Sequence, residues 1–249
     1  MTAATNELPV MAVTGTSKGI GQGIAEHFAV HGYRVAGCSR GPAAFESENY
    51  LHFSADIGDE KQARSWIRSV KRAYGRLDVL VCNAGLAPAA LLMLETSAEL
   101  LDSVFRTNVI GTYNVCREAA KVMLLQRSGR IITVSSMAVG LHEEGTSAYS
   151  ASKSAVVEMT KIMAKELVPF GITCNVIAPS IYMTGAVNAL GETVIARALD
   201  KLTIKRTLTI EEICNVVSFF AQPRTYTIKK RLPHHNIVTI MLDEQTFRA

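Results

Sequence analysis

Tyr149 and Lys153 lie four residues apart, in a stretch whose apolar residues recur at helical spacing. On a helix, side chains at positions i and i+4 share one face, so we expect the lysine beside the tyrosine. A phenol ordinarily ionises near pH ~10, and a nearby ammonium group lowers that pKa. Such a tyrosine can donate or accept a proton near neutral pH. The same spacing is also typical of surface helix pairs, so the pair alone leaves both interpretations open.

Two other polar residues precede this pair in the chain. Ser136 follows an apolar strand, where its hydroxyl could hold the oxygen atom that exchanges the proton. Asn108 falls inside a helical stretch, where asparagine is disfavoured by propensity, so we expect it to have a hydrogen-bonding task. The alternative for Asn108 is a core amide that the backbone satisfies.

A glycine-rich turn lies near the start of the chain, between an apolar strand and a helix. The residues from Thr14 to Gly21 read TGTSKGIG. Glycines there permit a tight turn and the close approach of a diphosphate, and the helix N-terminus supplies N–H groups and a positive dipole end. The turn therefore predicts a nucleotide-binding loop, and a glycine-rich turn without a ligand is the alternative.

Taken in series, these features resemble the short-chain dehydrogenase/reductase family over about residues 9–228. The features are the glycine-rich turn, Asn83-Ala84-Gly85 after a later strand, Asn108, Ser136, Tyr149 and Lys153. The resemblance implies a single-domain α/β fold, a Rossmann-type doubly wound parallel sheet with helices on both faces. It also implies an NADP-dependent oxidoreductase.

The resemblance assigns a role to each of four catalytic residues. Ser136 fixes and polarises a substrate carbonyl, and Tyr149 protonates the developing alkoxide. Lys153 lowers the tyrosine pKa and binds the nicotinamide ribose. Asn108 holds a water molecule in a proton path to the lysine.

The end of the second strand indicates which nicotinamide cofactor binds. NAD-selective sites usually carry an acidic residue there, which binds the ribose 2′-hydroxyl. This chain has Cys38-Ser39-Arg40 instead. Because a guanidinium suits phosphate geometry, Arg40 and Lys18 predict NADPH, as in NADPH-preferring members of the family. The alternative is that both are solvated surface charges.

The resemblance extends the cofactor site along the chain. Asp56-Ile57 resembles the pair that contacts the adenine ring, and Thr184 is expected to bond the nicotinamide carboxamide. Ser180 stands where the family usually has a glycine after Pro179. The full set expected to bind NADP is Gly15, Ser17, Lys18, Gly19, Ile20, Gly21, Ser39, Arg40, Asp56, Ile57, Asn83, Ala84, Gly85, Tyr149, Lys153, Pro179 and Thr184.

The elements that must position these residues alternate between strands and helices. Apolar patterns predict strands over 9–14, 33–38, 50–56, 79–83, 130–136, 172–178 and 237–243, and helices over 19–31, 59–74, 98–127, 149–169 and 209–221. We expect no full helix over 41–50, an apolar loop over 86–96 and a helical lid over 185–204.

Composition excludes several other classes of protein. At 249 residues and 48% hydrophobic, the chain is expected to form one domain over 1–249. It has no apolar run of about 18 residues, and its first residues lack the features of a signal peptide, so we expect no membrane contact. The net charge of +4 is dispersed, which does not favour nucleic acid. Five scattered cysteines predict reduced thiols and a cytoplasmic location.

We expect no metal site. His142, Glu143 and Glu144 resemble an acid/base or metal-binding set, but no second ligand cluster accompanies them. We therefore interpret them as a solvated loop.

Within the family, the chain is most similar to β-ketoacyl carrier-protein reductases and polyketide ketoreductases. The shared features are Asn83–Leu86 with Leu91–Met93, the strand entry Gly129–Ile132 and the short second crossover. This similarity implies reduction of a β-ketoacyl thioester, with Arg127 and Arg130 as candidate contacts to an acidic acyl carrier protein. Phe170 stands where such reductases often have a basic residue. The alternatives are a ketone reductase or secondary-alcohol dehydrogenase acting on a free small molecule, and a non-catalytic NADP-binding regulator.

Apolar residues on more than one face of two helices predict a homo-oligomer. They are Val109, Val115, Val122, Leu124 and Leu125 in 98–127, and Val157, Met159 and Met163 in 149–169. The family packs these helices about a two-fold axis, which predicts at least a homodimer. Its homotetramer also uses the last strand, and here 229–249 is atypical because it contains the basic stretch KKRLPHHN.

Overall fold

The computed structural model describes residues 8–188, 192–202, 204–222 and 239–241. Its strands are β1 Val10–Thr14, β2 Arg34–Ser39, β3 Tyr50–Ser54, β4 Val79–Cys82, β5 Gly129–Val134, β6 Ile172–Ala178 and β7 Thr239–Met241. They form one sheet in the order β3-β2-β1-β4-β5-β6-β7, and all neighbours are parallel. Strand order reverses between β1 and β4, where such sheets bind ligands beyond their carboxyl ends.

Helices cover both faces of this sheet. They are α1 Gly19–Val30, α2 Glu60–Tyr74, α3 Ala98–Phe105, α4 Thr112–Gln126, α5 Ala138–Leu141, α6 Ser147–Leu167, α7 Gly185–Asn188, α8 Glu192–Asp200 and α9 Ile210–Ala221. One apolar cluster joins α1 and α9 to the sheet, and a second joins α2, α4 and α6 to the opposite face. The predicted doubly wound α/β fold is confirmed.

Local sequence signals explain where the elements begin and end. The Asp59 carboxylate accepts the backbone N–H of Gln62 at 2.9 Å and caps α2, and Gly75, at φ 73°, ends that helix. Between them, Trp66 and Val70 lie on the buried face. No helix lies between β2 and β3 in the described chain, as the composition of 41–50 predicts.

The predicted helix 98–127 is not a uniform α-helix. It ends as α3 at Phe105, continues as a π-helical segment over Arg106–Gly111 and resumes as α4. Such segments are rare inside α-helices and are frequent at functional sites. Asn108 lies in this segment, and its contacts are described with the site below.

Other predicted boundaries shift by small amounts. Helix α6 begins at Ser147 rather than Tyr149, and β3 ends at Ser54 rather than at residue 56. The short helix α5 was not predicted. Strand β7 falls inside the predicted strand 237–243 and pairs with β6, whereas the basic stretch 229–236 lies outside the described residues. Among the helices that the structure describes, none has both the length and the apolar content needed to cross a bilayer.

Candidate active site

The carboxyl ends of three strands bring the candidate residues to one edge of the sheet. The glycine-rich turn follows β1, Asn83 follows β4, and Ser136 follows β5. Tyr149 and Lys153 lie in the first turns of α6. Residues that are distant in the chain thus converge on the crevice where strand order reverses.

Tyr149 and Ser136 form the polar centre of the site. A hydrogen bond with Ser136 lowers the pKa of Tyr149, but burial has the larger effect and raises it above its usual value. The Ser136 hydroxyl oxygen also accepts the backbone N–H of Ala138 at 3.2 Å, which fixes it at the start of α5. The phenol therefore keeps its proton at neutral pH and can act as a donor.

Lys153 is almost fully buried, with 4% of its surface exposed. Its Nζ atom donates to the carbonyl oxygen of Val134 at 2.8 Å and lies 5.8 Å from the centre of the Tyr149 ring. Burial lowers the pKa of the lysine to about 8. Burial dominates the pKa of the Tyr149 phenol, and a role of Lys153 in lowering that pKa stays a prediction.

Asn108 is fully buried in the π-helical segment and uses its whole amide group. Its oxygen accepts the N–H of Leu86 at 2.7 Å, and its nitrogen donates to the Leu86 carbonyl at 3.0 Å and to Ser152 Oγ at 2.9 Å. This matches the alternative of a core amide that the backbone satisfies, and it holds the loop after β4. The role in a proton path stays a prediction.

Gly85 makes room where these groups meet. A Cβ atom at Gly85 would lie 3.3 Å from Lys153 Nζ and 3.4 Å from Asn108 Oδ1. The side chains of Lys153 and Asn108 therefore both approach Gly85. A larger residue at position 85 would crowd both of them.

The glycine-rich turn packs directly on the exit of β4. Gly15 has φ +78°, and a Cβ atom on it would lie 2.8 Å from the Cα atom of Ala84. A Cβ atom on Gly21 would overlap the carbonyl oxygen of Gly15. The glycines thus create a backbone cradle that side chains would fill.

The helix that follows this turn presents free N–H groups. Lys18 occupies the N-cap position of α1 without a capping hydrogen bond from its side chain, and the first turn has no acidic residue. Uncapped N–H groups at a positive dipole end suit a phosphate. The cradle therefore fits the diphosphate of a dinucleotide.

Thr14 holds the cradle together, although it is not among the site residues that the sequence motifs predict. Its hydroxyl oxygen accepts the N–H of Asn83 at 3.0 Å and that of Ala84 at 2.9 Å. Its carbonyl oxygen accepts the Asn83 amide at 3.2 Å. The sequence does contain a signal for this role, because Thr14 is a polar residue at the end of an otherwise apolar strand.

The charged residues expected at the cofactor ribose are exposed. Arg40 follows β2 and Lys18 precedes α1, and neither forms an ion pair within the described chain. Ser39 is buried, and its hydroxyl donates to the carbonyl oxygen of Gly41 at 2.9 Å. The end of β2 therefore offers a cation and a hydroxyl.

Some residues that were expected to contact the cofactor make other contacts in the structure. Ile57 is 5% exposed and packs against Gly111, so its side chain belongs to the core rather than to an open adenine site. The Asp56 carboxylate accepts the N–H of Gly58 at 2.9 Å. The Thr184 hydroxyl accepts the N–H of Val187 at 3.2 Å, although its methyl group lies against Gly19 of the turn.

Three further expected residues lie around the same crevice. Ser17 lies within the turn, and Ile20, in the first turn of α1, packs partly against the sheet. The carbonyl oxygen of Pro179 accepts the N–H of Met137 at 3.1 Å, which joins the end of β6 to the residue after Ser136.

A cavity of about 340 Å³ lies beside the site. It is lined by Leu92, Met93, His142, Glu143, Glu144, Gly145, Thr146, Ser147 and Ser150. Glu143 forms an ion pair with Lys201, just after α8, at 2.6 Å, so the loop before α6 is joined to the lid. The described residues contain no cluster of three or more metal-binding side chains.

Known proteins resemble this chain over most of its length. A model of the family described as short chain dehydrogenase matches residues 9–194. The 3-oxoacyl-(acyl-carrier-protein) reductase FabG of Staphylococcus aureus is 34% identical over 234 residues, 90% of this chain and 95% of the relative. The 3-oxoacyl-(acyl-carrier-protein) reductase MabA of Mycobacterium tuberculosis is 34% identical over 209 residues, 84% of this chain and 83% of the relative.

Solved structures are also similar. ElxO with NADP bound has a TM-score of 0.82 and 28% identity, and the match covers 94% of this chain and 97% of that one. The crystal structure of gox2181 has a TM-score of 0.85, with 94% and 95% covered. At 23% identity, the second similarity supports the fold alone.

Proposed function

The chain belongs to the short chain dehydrogenase family, as its motifs predict, and we propose that it reduces a β-ketoacyl thioester to the secondary alcohol with NADPH. The observation that carries this proposal is the convergence of Ser136, Tyr149 and the buried Lys153 beside a backbone cradle that fits a dinucleotide. The choice of substrate is supported by relatives named 3-oxoacyl-(acyl-carrier-protein) reductases, which are 34% identical to this chain.

In the proposed mechanism, the protein residues bind, orient and supply a proton. NADPH, when bound, supplies the hydride that reduces the carbonyl carbon. The turn after β1 and the start of α1 hold the diphosphate, and Arg40 and Lys18 bind the 2′-phosphate. Ser136 donates a hydrogen bond to the substrate carbonyl oxygen, and Tyr149 transfers its proton to the same oxygen.

Lys153 is proposed to bind the nicotinamide ribose and to support the proton transfer. With a pKa of about 8, its amino group is mostly protonated at pH 7 but releases a proton readily. A group that can gain and lose a proton near neutral pH suits the replacement of the proton that Tyr149 gives up.

The exposed apolar segment after β4 supports an acyl substrate. Leu92 and Met93 are 53% and 75% exposed, and both line the cavity beside the first turn of α6. An acyl chain bound there would bury this surface. Such burial stabilises a complex by about 25 cal/mol per Å² of apolar area.

The carrier-protein contact proposed for Arg130 is wrong. Arg130 is 4% exposed and donates hydrogen bonds to the carbonyl oxygens of Gly129 and Gln222, so it cannot meet a partner. Arg127 is exposed, but it precedes β5, whereas Ser136 follows that strand. With Phe170 also in place of a basic residue, reduction of a free small-molecule ketone is the second candidate function.

A substrate panel separates the two candidates. NADPH oxidation would be followed with acetoacetyl carrier protein, acetoacetyl-coenzyme A and free ketones at equal concentrations. We expect the thioesters to give the highest kcat/KM. Turnover confined to free ketones would refute the thioester assignment, and binding of NADPH without any turnover would favour the regulator.

We also propose a cytoplasmic location and a single domain over 1–249. The five cysteines are buried and form no disulfide within the described residues, as expected of a protein in a reducing compartment. Strand β7 extends the same sheet as β1–β6, which supports one domain.

A further inference from the structure

A chain of hydrogen bonds connects the glycine-rich turn to the end of β2. The Tyr50 hydroxyl oxygen lies 2.9 Å from Thr16 Oγ1 of the turn and 2.8 Å from Nδ1 of His52, within hydrogen-bond distance of both. The other ring nitrogen of His52 lies 2.9 Å from the carbonyl oxygen of Gly41 and 3.2 Å from Ser39 Oγ. Tyr50 and His52 of β3 thus connect the glycine-rich turn to the residues at the end of β2.

The fold makes a specific place for Tyr50. Gly37 of β2 lacks a side chain where the phenol crosses the sheet, and a Cβ atom there would overlap the hydroxyl. Phe45 stacks on the ring at 4.1 Å between centroids, and Tyr50 is 6% exposed. The short link between β2 and β3 therefore closes over the phenol and holds it in one position.

His52 fixes the backbone on the far side of Arg40. A carbonyl oxygen can only accept a hydrogen bond, so Nε2 of His52 must donate to Gly41. Ser39 donates to the same oxygen at 2.9 Å. Two donors therefore converge on Gly41, and the residues on either side of Arg40 are both held.

Arg40 itself has no such restraint on its side chain. It is exposed and forms no ion pair within the described residues. A long, free guanidinium loses conformational entropy when it binds a phosphate, and a fixed backbone limits that loss.

We propose that Tyr50 and His52 are positioning residues for the 2′-phosphate of NADPH. They hold Ser39, Arg40 and Gly41 in the geometry that meets this phosphate, and through Thr16 they align it with the diphosphate turn. The inference rests on the proposed function. Because NADH lacks the 2′-phosphate, loss of these residues should weaken NADPH much more than NADH and leave the chemistry unchanged.

The first test uses Tyr50→Phe, which removes one hydroxyl and keeps the buried ring. Calorimetric titration would give the Kd of NADPH and of NADH for the variant and for the unmodified protein. We expect the Kd of NADPH to rise about three- to tenfold, as for the loss of one hydrogen bond, and that of NADH to change less than twofold. The kcat at saturating NADPH should stay within twofold.

A matched control is Tyr74→Phe at the end of α2. Tyr74 is a partly buried tyrosine, and its described partner is the Arg34 guanidinium, 5.2 Å above its ring. Removing its hydroxyl should leave both dissociation constants unchanged. Thermal unfolding of both variants would verify that they are folded.

Two substitutions of His52 separate its two contacts. The amide nitrogen of His52→Gln can reach the position of Nε2 and keep the Gly41 bond, whereas His52→Asn reaches only the position of Nδ1. We expect His52→Gln to retain most of the affinity for NADPH and His52→Asn to lose about tenfold.

Two outcomes would overturn different conclusions. Equal weakening of NADPH and NADH by Tyr50→Phe and His52→Asn would show a general structural role and refute the inference. An unmodified protein that binds NADH as tightly as NADPH would refute the cofactor assignment itself.

Discussion

The amino group of Lys153 donates a hydrogen bond to the carbonyl oxygen of Val134 at 2.8 Å, two residues before Ser136. This bond joins α6 to the end of β5 and places a cation where only 4% of the lysine surface is exposed. Burial disfavours the charged form, and the pKa falls to about 8. Burial of the charged Lys153 amino group therefore lowers the stability of the folded protein, by an amount that depends on pH.

That cost gives the first prediction. An unfolded lysine has a pKa near ~10.4, so between pH ~8 and ~10 the unfolded chain binds a proton that the folded chain has released. Stability rises with pH wherever the unfolded state binds more protons. Below pH ~8 both states are protonated and the full penalty, about 3 kcal/mol, is present.

Lys153→Met removes this titration. The stability of the variant relative to the unmodified protein should fall by about 2–3 kcal/mol between pH 7 and pH 10. Urea unfolding across this range, with a reductant to protect the thiols, would measure the difference. Taking the difference cancels the titration of the other tyrosines and cysteines, and a value that does not vary with pH would contradict the buried cation.

The second prediction concerns the proton donor. Tyr149→Phe should lower kcat by about 10²- to 10⁴-fold, because the variant loses general acid catalysis. The Kd of NADPH should change little, since the phenyl ring remains. Tyr113→Phe, on the 48% exposed Tyr113 of α4, is the control and should keep full activity. Turnover of Tyr149→Phe close to that of the unmodified protein would show that another group donates the proton.

The third prediction concerns cofactor selectivity. Arg40→Ala should remove one charge-assisted contact, worth about 1.5–3 kcal/mol, and raise the Kd of NADPH roughly 10- to 100-fold. Binding of NADH should be almost unaffected. Arg68→Ala, which removes an exposed charge from α2, controls for net charge. If both cofactors weaken equally in Arg40→Ala, the arginine is structural.

The sequence predicted the sheet and its helices because buried parallel strands and amphipathic helices leave strong periodic signals. It did not predict the π-helical segment around Asn108. The Asn108 side chain in this segment bonds to Leu86 and Ser152, which are 22 and 44 residues away in the chain. Local propensity marked the asparagine as unusual but could not supply its partners.

The site was predicted less completely than the fold. The i, i+4 rule placed Lys153 beside Tyr149, but it could not show that the amino group would turn to the Val134 carbonyl. Likewise, the sequence predicted Arg130 as a surface charge, whereas in the fold it is buried and donates to the carbonyl oxygen of Gln222. Side-chain direction and burial depend on tertiary packing, which single-sequence patterns do not report.

The fourth prediction tests the cradle. Gly21→Ala would force a Cβ atom onto the Gly15 carbonyl and within reach of the Asn83 amide, where backbone atoms cannot yield easily. Overpacking of this kind costs about 1–3 kcal/mol, or roughly 2–12 °C in Tm for a chain of this size. Gly185→Ala, where no atom lies within 4 Å of the new Cβ, should be tolerated. Equal Tm values for the two variants would contradict the close approach of the turn.

The structure corrects the residues behind the predicted dimer. Val115 and Met163 are buried in the core, at 0% and 8% exposure, because α4 and α6 pack against both the sheet and neighbouring helices. Leu124 and Leu125 are 40% and 80% exposed, and Ile162 of α6 is 51% exposed. Apolar surface therefore remains on the outer faces of both helices.

The fifth prediction is that a second copy of the chain covers this surface, so that the protein is at least a dimer through α4 and α6. Sedimentation velocity at micromolar concentration should give at least twice the chain mass of 27.0 kDa. The double variant Leu124→Glu, Ile162→Glu buries two charges in such an interface and should shift the protein towards monomer. Val30→Glu, at a 72% exposed position of α1, changes charge in the same way outside the interface and should not. A 27.0 kDa species for the unmodified protein would refute the dimer, and a mass near four times that value would show that the second interface tolerates 229–236.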